Sequence, residues 1–236
     1  MKINLMSFNT LHCENYKTRK IDFDLMAKTI KESGADVVAL NEIRGRGKRE
    51  DYQEQTEILA KLLGFPHFYF AQAILVDGCN PYGNALISRY PIKNAQTIRI
   101  PDPLIKIGRF NFETRCILKA EIVAGSGFTV MVTHFGLNKS EQKNAVETVL
   151  KNLPDKKCVL MGDFNATPEN PVLAPIKSKL FDTAEVFSNT KFSFPSDKPD
   201  KKIDYIFTSR DVKVIKADLI QVIASDHLPH TAQIEI

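Results

Sequence analysis

The sequence contains no tryptophan, only four cysteines in 236 residues, and no apolar stretch near the roughly 18 residues of a membrane-spanning helix. No two cysteines have CxxC spacing, and four in a chain this long do not make the dense disulfide framework of a small secreted domain. We therefore expect free, buried thiols and no membrane insertion. The N-terminal segment MKINLMSFNT turns polar too early for a signal-peptide core, which predicts a cytoplasmic protein, or a secreted one if a leader has been removed.

Several motifs of common enzyme classes are also missing. There is neither HExxH nor paired Cys/His ligand spacing, which disfavours a zinc site. The absence of GxxxxGK[ST] and GxGxxG argues against P-loop nucleotidases and dinucleotide enzymes. The absence of GxSxG argues against an α/β-hydrolase.

Charge and composition leave a broad choice of partners. The 32 Lys and Arg against 28 Asp and Glu give a net charge of +4, far from the dense basic stripe of a dedicated nucleic-acid-binding domain. A phosphate-bearing substrate, whether small molecule or nucleic acid, is allowed. The hydrophobic content of 43% and the lack of a linker predict one domain over residues 1–236, and we expect it to be a monomer.

What the sequence does contain is a series of short apolar runs that end in polar side chains. Each run is rich in Val, Ile, Leu or Phe and bounded by turn residues, as is typical of strands buried on at least one face. Six of them are KINLMSFN, ADVVALNE, FTVMVTH, CVLMGDFN, IDYIFTS and QVIASDH. Two further strands, NALISRYPI (84–92) and TRCILKAEIV (114–123), lack such an ending.

Three helical patterns interrupt the strands. They are a helix capped by Asp22 or Asp24 that stops at Gly34, DYQEQTEILAKLLG ending at Gly64, and SEQKNAVETVLKNLP from a Ser140 cap to Pro154. Strands outnumber helices by more than two to one. This ratio predicts an α+β protein in which two packed, mainly antiparallel sheets are flanked by helices.

The polar side chains at the strand ends are the candidate functional residues. They are Asn9, Glu42, His134, Asp163, Asn165, Asp204, Asp226 and His227. Strands of one sandwich end at only two rims, so these groups can converge from distant parts of the sequence. Asp163 and Asn165, two positions apart, are expected on the same side, whereas Asp226 and His227 would diverge unless the chain turns there.

A simpler interpretation exists for each residue taken alone. Asp and Asn after a strand are ordinary turn formers, and DFNATP can be an Asx-turn before a helix. Single histidines such as His12, His67 and His230 are expected to be packed or solvated. The recurrence of one arrangement at six places favours the functional interpretation.

Carboxylates, amides and imidazoles suit metal-assisted hydrolysis of phosphate esters. Hard oxygen ligands favour Mg²⁺, with Mn²⁺ or Ca²⁺ as possible substitutes. A divalent cation neutralises developing charge, amides and imidazolium bind the phosphoryl group, and a base takes a proton from water.

The ordered set of motifs resembles the endonuclease/exonuclease/phosphatase superfamily, the fold of DNase I and of abasic endonucleases. The matching segments are MSFNT, VVALNEI, GNALISRYPI, VTHF, GDFNATP, IDYIF and SDHLP, which span residues 5–229 in the family's order. The resemblance implies a DNase I-like four-layer α/β/β/α sandwich with one active site at its rim. The missing tryptophan and the lack of a long aromatic hairpin, as in membrane-acting sphingomyelinases, disfavour a lipid substrate.

The resemblance also implies ligands for the metal and contacts to the substrate. Asn9 and Glu42 would hold Mg²⁺, with Asp226 nearby as a further ligand. Arg115 and Asn84 would belong to the substrate-binding part of the site, with Arg115 near the substrate and Asn84 supporting His134.

By the same resemblance, five residues would carry the chemistry. Asp163 and Asn165 would position or activate the water and contact the phosphate, His134 would donate to a phosphate oxygen, and Asp204 would orient His227. The resemblance assigns the general base to either His227 or Asp163, and we favour Asp163.

These expectations lead to three function hypotheses. The first is a Mg²⁺-dependent phosphoesterase, with a phosphodiester as the favoured bond. The second is an endo- or exonuclease acting on DNA or RNA. The third, from a different class, is a catalytically inactive binding module on the same fold.

Overall fold

The computed structural model describes residues 1–106, 108–187 and 191–236, and within these residues fourteen strands and four α-helices form. The strands are β1 (Lys2–Asn9), β2 (Glu14–Asn15), β3 (Lys20–Ile21), β4 (Val37–Arg44), β5 (His67–Val76), β6 (Asn80–Ser88), β7 (Ile92–Arg99), β8 (Cys116–Ile122), β9 (Phe128–His134), β10 (Cys158–Asp163), β11 (Leu180–Asp182), β12 (Asp204–Ser209), β13 (Lys213–Leu219) and β14 (His230–Glu235). The helices are α1 (Phe23–Ser33), α2 (Gln55–Leu63), α3 (Lys139–Asn152) and α4 (Ala174–Lys179). None of the described helices is long and apolar enough to span a membrane.

Twelve of the strands form two six-stranded sheets. The first has the order β13-β14-β1-β4-β6-β5 and the second the order β11-β12-β10-β9-β8-β7. Neighbouring strands are antiparallel except for one parallel pair in each sheet, β1 with β4 and β9 with β10. In each parallel pair the carboxyl ends of both strands therefore lie at the same rim.

Three apolar clusters separate the layers. One lies between the sheets and includes Leu5, Val37, Val132 and Met161, all fully buried. A second joins the first sheet to α1 and α2, and a third joins the second sheet to α3 and α4. Because each buried Val, Leu or Met side chain stabilises the fold by about 1.5–3 kcal/mol, all four layers contribute. The predicted α/β/β/α sandwich is confirmed.

The helix ends follow the predicted capping chemistry, with one correction. The Asp22 carboxylate accepts the Leu25 N–H at 3.0 Å, and Gly34 and Gly64 end α1 and α2 in left-handed conformations. Helix α3 has Asn138 as its N-cap, two residues before the predicted Ser140. There Asn138 and Glu141 form a reciprocal capping box, which satisfies backbone N–H groups that Ser140 would leave unpaired.

Other sequence predictions of strands are wrong. QVIASDH, residues 221–227, is a loop, because its backbone bonds to other loops: Tyr16 N donates to Ala224 O, and Ser196 N donates to Asp226 O. The segment NALISRYPI joins the end of β6 to the start of β7 across a turn. Seven strands went unpredicted: β2, β3, β5, β7, β11, β13 and β14. Among them β7 and β13 are largely exposed and polar, so their apolar alternation is weak.

Candidate active site

The register of the second sheet places three candidate residues side by side. In the parallel β9–β10 pair Asp163 lies opposite His134, and in the antiparallel β10–β12 pair it lies opposite Asp204. Neighbouring strands are about 4.8 Å apart, so this register alone brings the three side chains together. All three residues are buried.

Gly162 allows the close strand contact beneath Asp163. Its φ is +144°, and a Cβ atom there would lie 1.8 Å from the Thr133 carbonyl oxygen of β9. Only glycine fits this position, because any side chain would push β10 away from β9. Gly162 therefore sets the approach that places Asp163 beside His134.

The first sheet contributes Asn9 from the end of β1 and Glu42 from a β-bulge in β4. The β4–β6 register shifts between Leu40 and Ile43, and Glu42 has a left-handed φ of 58°. The extra residue turns Asn41 into the interior while Glu42 faces the rim with 20% of its side chain exposed. The end of β1 lies alongside, so that the Asn9 side-chain amide donates to Glu42 Oε1 at 3.1 Å.

Asp163 is the point where the two sheets meet. Its Oδ2 atom accepts the Asn9 amide at 3.2 Å and lies 3.5 Å from His134 Nε2 and 3.7 Å from His227 Nε2. Its Oδ1 atom accepts the Asn165 backbone N–H at 2.9 Å. One buried carboxylate thus contacts residues from four separate segments of the chain.

The charges of this cluster are set by burial and by mutual attraction. Burial raises the pKa of Asp163 to about 7, although the nearby His227 opposes the rise. Burial alone would lower the pKa of His227, but the carboxylates of Asp204 and Asp163 outweigh it and raise that pKa to about 10. His227 Nδ1 donates to Asp204 Oδ2 at 2.8 Å, and Ser193 Oγ donates to the same oxygen at 2.6 Å. His227 is therefore an imidazolium at neutral pH.

His134 is neutral, by contrast. Burial, reinforced by the Arg115 charge, holds the pKa of His134 well below its usual value. Arg115 Nη1 lies 3.1 Å from His134 Nδ1, and since a guanidinium only donates, Nδ1 must accept. The proton of the neutral ring then sits on Nε2, which faces Asp163. Arg115 in turn pairs with Glu113 at 2.6 Å.

Asn165 and Asp226 complete the predicted set. Asn165 has a left-handed φ of 46°, and its side-chain amide donates to Phe135 O at 3.0 Å and lies 3.2 Å from His134 Nε2. Asp226 precedes His227 in a bend, where its carboxylate accepts from Ser225 Oγ at 3.0 Å. Burial raises the pKa of Asp226; the His227 charge opposes this rise and the Glu42 charge adds to it.

The expected contact between Asn84 and His134 does not occur among the described residues. Asn84 is buried; its side-chain oxygen accepts from Asn41 Nδ2 at 2.8 Å, and its amide donates to Cys116 O at 3.1 Å. The bulge in β4 turns Asn41 inward, where it is the nearest partner for Asn84. Asn84 therefore lies beneath the site, too deep to contact a substrate.

Sequence reasoning missed two residues of this site. Asn41 accepts the Asp163 backbone N–H at 3.0 Å and donates to Thr133 O at 3.0 Å, which ties β4 of the first sheet to β10 and β9 of the second. A polar residue in the middle of the apolar run VVALNE was the available signal. His12, expected to be packed or solvated, has its Nε2 3.4 Å from Glu42 Oε2.

Two groups of residues can hold a cation. Ligand atoms of Asp163, Asp204 and His227 lie within 4.8 Å of one another. In that cluster Asp204 Oδ2 accepts from two donors, Asp204 Oδ1 is buried without a partner among the described residues, and His227 carries a proton. The Glu42 side chain is instead 20% exposed at the rim, and each of its oxygens has one contact, with Asn9 or with His12. The donor set at the rim thus fits a hard divalent cation better.

Comparison with known proteins agrees with this architecture. The Endonuclease/Exonuclease/phosphatase family profile matches residues 6–227. A search of curated proteins gave no match.

Three similar solved structures illustrate the fold. An endonuclease/exonuclease/phosphatase from Beutenbergia cavernae DSM 12333 has 22% identity and a TM-score of 0.83, covering 100% of this chain and 72% of its own. The Bacteroides thetaiotaomicron VPI-5482 mannosyl-6-phosphatase Bt3783 has 16% identity and a TM-score of 0.76, covering 99% and 100%. The human Nocturnin catalytic domain with bound sulfate anion has 17% identity and a TM-score of 0.71, covering 99% and 94%. At these identities the likeness shows the fold alone, whereas the profile match over most of the sequence shows that this chain belongs to the endonuclease/exonuclease/phosphatase family.

Proposed function

We propose that this protein is a Mg²⁺-dependent phosphoesterase that hydrolyses a phosphodiester by attack of an activated water. The observation that carries the proposal is the convergence on Asp163 Oδ2, which lies within 3.7 Å of Asn9, His134 and His227 side chains. Members of the family are hydrolases of phosphate esters and generally depend on divalent metals. The site supplies residues for each task of that reaction.

The cation would be held by Asn9, Glu42 and Asp226. Burial raises the pKa of both Asp163 and Asp226, which supports a bound cation here because a cation would offset the cost of charging these buried carboxylates. Oxygen donors favour Mg²⁺, Mn²⁺ or Ca²⁺. When bound, the cation would polarise a phosphate oxygen and neutralise developing charge.

The remaining residues would divide proton transfer and phosphate binding among them. Asp163, with a pKa raised into the neutral range, is suited to take a proton from the attacking water. The His227 imidazolium, held by Asp204, would stabilise the phosphoryl charge that builds up. The Nε2–H group of His134 and the amide of Asn165 would donate to phosphate oxygens.

Two of the structural relatives support a phosphate-like ligand. The mannosyl-6-phosphatase acts on a phosphate ester by its name, and human Nocturnin was solved with a sulfate anion, which has the shape and charge of a phosphate. They differ in substrate, so the choice between monoester, diester and nucleic acid has to come from experiment.

The test is hydrolysis of bis(p-nitrophenyl) phosphate and p-nitrophenyl phosphate with Mg²⁺, with Mn²⁺ and with EDTA. We expect faster turnover of the diester with metal and loss of turnover with EDTA. Turnover that survives chelation would remove the metal role. Nicking of plasmid DNA or cleavage of RNA at higher rates would identify a nuclease, with the steep salt dependence of phosphate contacts. No turnover on any of these substrates would favour the inactive binding module.

A further inference from the structure

The turn after β1 has a strained backbone. Leu11, His12 and Cys13 are consecutive non-glycine residues with φ values of 47°, 57° and 61°. Left-handed conformations cost such residues on the order of 1–3 kcal/mol each, and they persist where the surrounding structure holds them. The middle residue of this turn is His12, which the proposed function does not use.

Hydrogen bonds fix the turn to the neighbouring β4 strand. Gln55 Nε2 donates to the His12 carbonyl at 2.7 Å, and Gln55 Oε1 accepts the Arg44 backbone N–H at 2.9 Å. Arg44 is two residues beyond the bulged Glu42. Gln55 therefore couples the position of the turn to the strand segment that presents the Glu42 carboxylate.

The imidazole ring contacts Glu42 at both of its nitrogens. Nδ1 lies 3.3 Å from the Glu42 carbonyl oxygen, and Nε2 lies 3.4 Å from the carboxylate Oε2 atom. The ring also packs edge-on against Tyr82, with centroids 5.5 Å apart. Because a carbonyl only accepts, the Nδ1 atom carries the proton in this contact. That tautomer leaves the Nε2 lone pair directed toward the Glu42 carboxylate.

We infer that His12 Nε2 is a nitrogen ligand of the divalent cation proposed at Glu42. The inference rests on the proposed function. Metal-ligating histidines generally donate their other ring N–H to a carbonyl or carboxylate, as His12 does to Glu42. With metal–ligand bonds of about 2.1 Å, neighbouring ligand atoms of one ion lie about 3.0–3.4 Å apart, which matches the Nε2–Oε2 distance. Both side chains are partly exposed, 25% for His12 and 20% for Glu42, so a cation can reach them.

A nitrogen ligand changes which metals the site prefers. Imidazole binds the later first-row transition-metal ions, such as Co²⁺, more tightly than Mg²⁺ or Ca²⁺. An all-oxygen site shows a smaller difference in affinity between these ions. We therefore expect Co²⁺ to bind more tightly than Mg²⁺. Loss of the His12 ring should weaken Co²⁺ binding at least about tenfold while changing Mg²⁺ binding less.

The experiment compares the wild type with His12→Asn and with His134→Asn as a matched control. Asparagine tolerates the left-handed backbone and can keep a side-chain N–H near the position of Nδ1, so His12→Asn removes Nε2 together with the ring contact to Tyr82. Electron spin-echo modulation of bound Mn²⁺ detects a directly coordinated ¹⁴N nucleus, and titration with Co²⁺ and Mg²⁺ measures affinity. We expect nitrogen coupling in the wild type and in His134→Asn, and its loss in His12→Asn.

The outcomes separate this inference from the proposed function. If wild-type protein binds no Mn²⁺, the proposed metal dependence fails and the inference fails with it. If Mn²⁺ binds without nitrogen coupling, or if coupling survives in His12→Asn, only the inference is overturned. Should His12→Asn not fold, the wild type, His134→Asn and His227→Asn decide. Coupling that is present in all three supports His12, because His67 pairs with Ser88 at the far end of β6 and His230 Nε2 is bonded to Thr183 Oγ1. Coupling lost in either histidine variant contradicts the inference.

Discussion

The two halves of the site differ in exposure, and the difference suggests a division of tasks. The half formed by Asp163 and Asp204 of the second sheet with His227 of the neighbouring loop is almost fully buried, and His227 is paired with Asp204 at 2.8 Å. The half built by the first sheet, Glu42 with His12, is 20–25% exposed and only loosely paired at 3.4 Å. Burial shifts the pKa values of the closed half, which suits proton transfer, while the open half keeps ligands available for a cation.

The largest effect is expected from Asp163→Asn in the closed half. Loss of the carboxylate should lower kcat by about 10²–10⁴, the usual contribution of a general base. The thermal unfolding midpoint should stay the same or rise, because the variant no longer buries a charge. Turnover assays and calorimetry check both parts. Asp155→Asn, at an exposed loop carboxylate, is the matched control and should change neither.

Asp204→Asn should have the next largest effect. Without the Asp204 charge the pKa of His227 falls below about 10, so the imidazolium is lost at lower pH. If turnover requires the imidazolium, kcat falls as the pH rises through the pKa of His227. In Asp204→Asn this alkaline fall of the pH–rate profile should begin at a pH closer to neutral. We expect kcat at pH 8 to drop about 100-fold.

A control separates this effect from simple destabilisation. Asp182 forms another buried ion pair, with Lys202 at 3.0 Å. Asp182→Asn should destabilise the fold, as breaking a buried pair costs about 3–5 kcal/mol, without moving the alkaline limb. An unmoved limb in Asp204→Asn would mean that His227 is not needed as an imidazolium.

Asn41→Ala tests the connection between the two halves. The variant leaves the Asp163 backbone N–H and the Thr133 carbonyl without partners, which costs about 1–3 kcal/mol for each buried group left unpaired. Displacement of Asp163 should lower kcat roughly tenfold. Asn152→Ala, which removes a bond within α3 at 2.9 Å, is the control and should leave kcat unchanged. Equal kcat in both variants would show that the site tolerates movement of β10.

The smallest effect is expected from Tyr82→Phe. The Tyr82 hydroxyl accepts from Arg115 Nη1 at 3.4 Å, and Arg115 keeps its bonds to Glu113 and His134 without it. Loss of one hydrogen bond corresponds to roughly a two- to tenfold change. We expect KM for the phosphodiester to rise by that factor with kcat nearly constant. A fall in kcat with unchanged KM would place Tyr82 in the chemical step instead.

Much of this arrangement was predictable from the sequence. Five of the six runs that end in polar residues correctly predicted strands, whereas QVIASDH is a loop. GDFN marked Asp163 and Asn165 because a buried strand followed by an acid and an amide is a local pattern. The fold and the family are confirmed. The catalytic and ligand roles of individual residues, and the extent of the domain over residues 1–236, stay predictions.

The parts that were missed depend on backbone geometry that the sequence does not display. His12 reaches Glu42 only because three residues adopt left-handed conformations, and nothing in NTLHC indicates such a turn. The inward orientation of Asn41 follows from a bulge whose position depends on pairing with a distant strand. Asp226 and His227 lie in a loop rather than a strand, because nearby loops supply the backbone partners.

The most direct test of the central claim is anomalous diffraction from crystals grown with Mn²⁺. We expect a peak beside the Glu42 carboxylate in the open half of the site. A peak bound by Asp163, Asp204 and His227 with none at Glu42, or no ordered ion at either place, would contradict it.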